Sequence, residues 1–365
     1  MTLERRKEHE LLKLEYIQIS ISDLNLKKMK KYFYLLALAL FAIQFQSCSS
    51  DDEAESTSEL EKNYLSIGNA VYSKGDFPTA TTEEKLDGID MSTQVMNGAM
   101  NYISIITEKN IQKFFIGVKG VSGYWEYVPS SVITRAATDY NTYVIPVMMS
   151  QSYTGNSTIV LSGQLDNGDV TAPVENEVFY IETMPGEVEI KLAFSNSKDI
   201  DLHLYTPSGE HIYYGNRGGS YTTDDGEEIT YGLDIDSNAG CDLDHVNKEN
   251  VYIPSELVQS GTYTVVVDMY SNCDESIPTS WSVVARYQGE LITPTSGVNP
   301  ASGVYSAGAG DGDMTKVMAF TIDEEAATRS VSAKRLLPNS FKPMALTDMD
   351  MIKREEFEYR MQFAE

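Results

Sequence analysis

The sequence predicts an all-β protein: two tandem antiparallel β-sandwich domains, preceded by a leader and followed by a weakly ordered, partly helical tail. Three observations predict it. From about residue 63 the chain consists of short runs rich in β-branched and aromatic residues, parted by Gly, Asn, Asp and Pro, which is the spacing of sandwich strands. Several runs alternate strictly between apolar and polar residues, the period of a strand with one face on a core. A Met-Pro-Gly stretch at 184–186 divides the runs into two sets.

The first set, residues 63–183, includes NYISII (101–106), KFFIGV (113–118), TYVIPVMM (142–149), STIVLSG (157–163) and EVFYIE (177–182). Pro146 has no amide hydrogen to give to a ladder, so its run is expected at an edge or a bulge. This region holds no histidine, and its acids are scattered. The second set, residues 184–323, opens with EVEIKLAF, in which Val188, Ile190, Leu192 and Phe194 share one face while Glu189 and Lys191 take the other. That pattern predicts a half-buried strand. DIDLHLY (199–205) and HIYYGN (211–216) follow. In GTYTVVVDMY the face is Tyr263, Val265, Val267 and Met269; in SWSVVARY it is Trp281, Val283, Ala285 and Tyr287. Beyond 323 the pattern weakens. Residues 346–363 suggest a helix, with a stripe of Leu346, Met349, Ile352 and Phe357 only partly in phase.

The N-terminal end reads as targeting rather than fold. Lys27, Lys28, Lys30 and Lys31 precede the apolar run YFYLLALALFAI, which stops at Ile43 and is followed by Cys48. A basic segment, a short apolar run and a small residue before the break form a secretory signal; a membrane span needs about 20 apolar residues. Residues 1–28 lie ahead of Met29, where the leader proper is expected to start. The segment around Cys48 resembles the lipobox of bacterial lipoproteins, in which that cysteine carries the lipid. The following SSDDE resembles the acidic tag of surface lipoproteins in the Bacteroidetes phylum. The resemblance implies an outer-membrane, lipid-anchored protein exposed at the cell surface, with residues 48–62 as an acidic tether.

A formal net charge of −26 disfavours nucleic acid as a partner, because a phosphate backbone needs a basic face. Three cysteines are present. With Cys48 assigned to lipid, Cys241 and Cys273 remain, as a disulfide or as two buried thiols.

The stretch LDIDSNAGCDLDHVNKEN, 233–250, is where carboxylates crowd. It is not an EF-hand: counted from Asp234, Ala239 stands where the loop needs Gly, and His245 where it needs Glu. Alternation would still place Asp234 and Asp236 on one face, and Asp199 with Asp201 forms a second such pair. With Asn238 and Glu249 they make a candidate oxygen-ligand set, and hard oxygen donors point to Ca²⁺. The competing expectation is that these acids cap turns.

Three segments, DIDLHLYTPSGEHIYYGN, LDIDSNAGCDLDHVNKENVYI and GTYTVVVDMYSNC, together resemble the YfaP-like bacterial secreted domain of unknown function, over residues 196–287. The resemblance implies a β-sandwich related to the pre-peptidase C-terminal modules of secreted enzymes. It also implies that Cys241 pairs with Cys273, and it strengthens the cation set. The family usually has Gly at the position of His245, so the turn there is expected to differ.

Catalytic signals are weak. His203 shares a face with Asp201, but no nucleophile elbow accompanies them. Among 23 tyrosines, Tyr213, Tyr214, Tyr221 and Tyr231 are candidates for a ligand-binding surface. The sequence therefore favours a non-enzymatic binding or adhesion role with a polysaccharide, peptidoglycan or protein ligand. The alternatives are an accessory subunit of a secreted hydrolase system, or a hydrolase using His203 and Asp201.

Overall fold

In the computed structural model the described residues are 58–129, 133–134, 141–223, 225–273, 278–306, 309, 312–323 and 351–353. The leader, Cys48 and most of the expected tether lie outside them. The described residues are nearly all strand, and they form antiparallel sheets around two hydrophobic cores inside one compact unit. Among them no helix is long and apolar enough to cross a membrane.

The end of the expected tether is folded. Ser58 caps a helical turn, Glu59–Asn63, by accepting from the Glu61 amide at 3.1 Å, and Leu60 is buried in the first core.

The first core lies between two sheets. One runs in the order Leu65–Ile67, Asn141–Met149, Met100–Thr107, Ile89–Met91. The other runs Val71–Ser73, Tyr124–Tyr127, Ile111–Val118, Ser157–Leu165, Val174–Tyr180, Gln94–Val95. Phe114 and Tyr143 meet edge to face at 5.2 Å between centroids, and the Tyr143 hydroxyl accepts from the Ile111 amide at 2.9 Å. Pro146 is neither at a sheet edge nor in a bulge. Its strand is interior, paired through all of Met100–Thr107. On the other side Leu65–Ile67 covers only 147–149 and Ile133–Thr134 only 141–142, so no ladder partner among the described residues asks Pro146 for a hydrogen.

The second core lies between a seven-stranded and a six-stranded sheet. The seven-stranded sheet runs Gly218–Thr222, Glu228–Asp236, Lys248–Ile253, Val188–Phe194, Thr279–Tyr287, Glu290–Leu291, with Ala301–Tyr305 also on Thr279–Tyr287. The six-stranded sheet centres on Asp199–Tyr205, Gly261–Ser271 and Asp313–Ile322. The alternating faces read from the sequence point inward: Val188, Ile190, Leu192, Phe194, Tyr263, Val265, Val267, Met269, Trp281, Val283 and Ala285 are all in the core. Each such side chain contributes about 1.5–3 kcal/mol of burial.

The strand Val188–Phe194 departs from the half-buried expectation, because all seven residues are buried. It is central in its sheet, and the first sandwich covers its other face. Lys191 Nζ donates to Asn97 O at 2.9 Å, Asn97 Oδ1 at 2.8 Å and Thr183 Oγ1 at 3.3 Å. Ser282 Oγ donates to Met100 O at 2.5 Å, and Lys248 Nζ to Ser92 Oγ at 3.1 Å.

Cys241 and Cys273 form a disulfide with Cα atoms 5.5 Å apart, tying the loop after Asp236 to the end of Gly261–Ser271. Of the tail, only Met351–Lys353 is described. It is a short strand on Asp313–Ile322 rather than helix, and the rest of the expected helical stretch lies outside the described residues.

Candidate metal centre

Ile200, Leu202 and Leu204 occupy the second core, so period-two alternation sends Asp201 and His203 to the opposite face of their strand. In register, Asp201 stands across from Asp268 and His203 across from Val266. All three polar groups are nonetheless buried: Asp201 is 2 % exposed, His203 and Asp268 0 %.

On one side of Asp199–Tyr205 the short strand His211–Ile212 pairs only with Leu204 and Tyr205. The Leu202 amide is left to another acceptor. Glu249 supplies it, reaching from the opposite sheet so that its Oε2 accepts from Leu202 N at 2.5 Å. Glu249 sits across from Asp236 in the ladder between Glu228–Asp236 and Lys248–Ile253. One oxygen each of Asp201, Asp236 and Glu249 therefore lies within 4.8 Å of the others. Asp201, His203 and Asp268 form a second group of the same tightness, sharing Asp201 with the first.

Three carboxylates this close and this buried are poorly compatible as anions. Burial drives the Glu249 pKa well above the usual carboxylate value, and the charges of Asp201, Asp236 and Asp199 add to the effect. Burial also raises that of Asp236. Arg217, with Nη1 at 3.5 Å from Asp236 Oδ2, opposes this, and the charge of Asp244 reinforces it. Glu249 Oε1 and Asp236 Oδ1 are buried oxygens with no hydrogen-bond partner. Such atoms call for a proton or a cation between them. The donor set, oxygens only in the first group, fits a hard ion such as Ca²⁺, with further ligands from backbone or water.

Of the six oxygen donors expected from sequence, Asp201, Asp236 and Glu249 come together. Asp199, Asp234 and Asn238 make hydrogen bonds that shape the loops. Asp199 Oδ2 accepts from the Gly240 amide at 2.7 Å. Asp234 accepts from the Met184 amide at 2.7 Å and from Asn250 Nδ2 at 2.6 Å. A bulge between Leu233 and Ile235 breaks the alternation that was to put Asp234 beside Asp236. Asn238 donates to Lys198 O at 2.9 Å and to Asn247 Oδ1 at 2.8 Å, and accepts from the His245 amide at 3.1 Å. Turn-capping, the competing expectation, describes these three. Sequence reasoning missed Asp268, whose one signal was an acid interrupting the apolar run VVVDM on the face away from the core. His245 replaces the family's usual glycine yet keeps a left-handed backbone, φ +59°.

Beside the second group lies an aromatic stack. His203 Nδ1 and His211 Nε2 are 2.8 Å apart. His211 is sandwiched by Tyr205 and Tyr213, at 4.2 and 3.9 Å between centroids. Burial pushes the His211 pKa down to about 3, so the imidazole is neutral. His203 Nε2 faces Asp268 Oδ2 at 3.7 Å. A His–Asp pair with no exposed surface has no route to a substrate.

The four candidate tyrosines are half-buried. Tyr213 and Tyr214 pack on the histidines, while Tyr221 and Tyr231 pack against the core. Tyr231 also donates to Glu210 Oε1 at 2.9 Å.

No family model and no curated protein matches the chain, so the YfaP-like resemblance gains no matching model. Among solved structures, the chain is similar to the Bacteroides ovatus mixed-linkage glucan utilization locus protein SGBP-B, in complex with a mixed-linkage heptasaccharide. The identity is 10%, over 57% of this chain and 74% of that one, at a TM-score of 0.17. It is also similar to the C-terminal domain of the Streptococcus agalactiae AgI/II polypeptide BspA, with 8% identity over 59% of this chain and 99% of that one, at a TM-score of 0.20. At these scores neither likeness carries an argument about fold or function.

Proposed function

We propose that the protein is a surface-anchored, non-enzymatic binding lipoprotein whose second sandwich is braced by Ca²⁺ at Asp201, Asp236 and Glu249. The observation that carries the cation is Glu249: fully buried, one oxygen on the Leu202 amide, the other without a partner among two more carboxylates. A divalent ion there converts mutual repulsion into attraction and ties one sheet to the other. The ligand is a polysaccharide, peptidoglycan or protein at the cell surface. Support for a binding rather than catalytic role is the burial of His203 and Asp201, the only His–acid pair the sequence offered for chemistry.

Calorimetric titration of the full chain with Ca²⁺ tests the cation. Saturable uptake is expected, with about 2.7 kcal/mol of added stability at a hundredfold excess over Kd, lost in EDTA. Glu249→Gln should abolish both. If that variant is instead more stable than the parent in calcium, relief of repulsion is the whole effect and the cation reading fails. The anchor rests on the sequence around Cys48. Incorporation of labelled palmitate by expressing cells is expected to disappear in Cys48→Ala; persistence would remove the lipid.

A further inference from the structure

Between the two sandwiches lies a cavity of about 200 Å³, bounded by the outer faces of Met100–Thr107 on one side and of Val188–Phe194, Lys248–Ile253 and Thr279–Tyr287 on the other. Its lining includes Tyr102, Ser104, Ser280, Ser282, Asp90 and Lys248. Lys248 is the unusual member. It is 1 % exposed, its Nζ donates to Ser92 Oγ and to Asn247 O at 3.2 Å, and it makes no ion pair among the described residues. An ammonium has three hydrogens to give, and both acceptors here are neutral. Burying a cation without a counter-charge is costly. In a chain of net charge −26, with carboxylates available throughout, the absence of one at this cavity leaves room for an anion from outside.

The remaining groups define the rest of such a ligand. Serine and tyrosine hydroxyls match hydroxyls, and Asp90, exposed at the margin of the cavity, accepts from hydroxyls while repelling a second acid group. The volume falls below that of clefts for drug-sized molecules and suits one ring.

We propose that this cavity binds a single hexuronic-acid residue, its carboxylate paired with Lys248 and its hydroxyls facing the serines and Asp90. The inference rests on the reading of the chain as a binding module, and not on the cation at Glu249. Burial brings the Lys248 pKa down to about 7, so a ligand carboxylate would restore full protonation.

The test is an NMR titration of the full-length protein with galacturonate, glucuronate, glucose and glutamate, alongside calcium calorimetry on the same samples. A uronate should bind saturably, about tenfold or more tighter than glucose, as one charge-assisted hydrogen bond implies. Lys248→Met should lose that preference while taking up calcium as the parent does. Ser104→Leu, which keeps the charge and fills the cavity, should also block uronate and serves if Lys248→Met does not fold. Equal affinity for glucose and uronate, or for glutamate and uronate, overturns the proposal. So does unchanged uronate binding in either variant, or no saturable binding at all. Calcium uptake decides the cation separately in every case.

Discussion

The two cores are built to the same plan and differ in what they bury. In the first, the buried polar residues are Asn101, Thr107, Asn141, Ser162, Thr171 and Thr183, all neutral. In the second, Glu189, Lys191, Lys198, Asp199, Asp201, Lys248, Glu249, Asp268 and Lys316 are buried, and His203 with them. Apolar packing on this scale suffices for the first region. The second carries an electrostatic load that has to be balanced by pairing, protonation or a bound ion. Position explains part of the difference. The sheet containing Val188–Phe194 is covered on both faces, so charges that would sit in water on a free sandwich are enclosed here.

Three experiments press on that contrast. The largest effect belongs to Phe114→Ala in the neutral core, expected to lose about 3–5 kcal/mol in urea denaturation, by the same amount with calcium or EDTA. A loss that depends on calcium would mean the cores are not independent in this respect. Next, Cys241→Ser removes a bridge spanning 32 positions and should lower stability by about 3–4 kcal/mol on loop-entropy grounds. It should also weaken calcium uptake, because the freed loop starts beside Asp236; unaltered uptake would show that the carboxylates hold their geometry alone.

The smallest effect is acid sensitivity. Folded His211 takes up a proton only near pH 3, whereas the unfolded imidazole does so near 6.5. Between those values the unfolded chain binds the extra proton, so stability is fully present above 6.5 and falls as pH drops, by about 1.4 kcal/mol per pH unit. His211→Phe should flatten that slope in thermal melts. The first region has no histidine, and an identical slope in the variant would refute the assignment.

What could be read from the sequence follows from range. The inward faces of 188–194, 263–269 and 281–285 were legible because a strand repeats every two residues. The pairing of Cys241 with Cys273 was legible from family likeness. The enclosure of Glu189 and Lys191 was not, since it depends on a second sandwich packed some hundred positions earlier in the chain. The candidate centre was half legible. Asp201, Asp236 and Glu249 stood out as acids in a crowded stretch, but the bulge at Asp234 reset the alternation, and Glu249 joins by crossing from one sheet to the edge of another. Asp268 was hidden in an apolar run whose opposite face decided its reading.

The seam at Lys191 governs how the molecule can be dissected. All three acceptors of that ammonium, Asn97 O, Asn97 Oδ1 and Thr183 Oγ1, precede the turn at 184–186. A fragment beginning at Gly186 would shed every one of them and lay bare a sheet face composed for contact, whereas a fragment beginning at Thr57 keeps the seam whole. Recombining either sandwich with a foreign neighbour would meet the same obstacle, so the pair is expected to travel through evolution as one heritable piece.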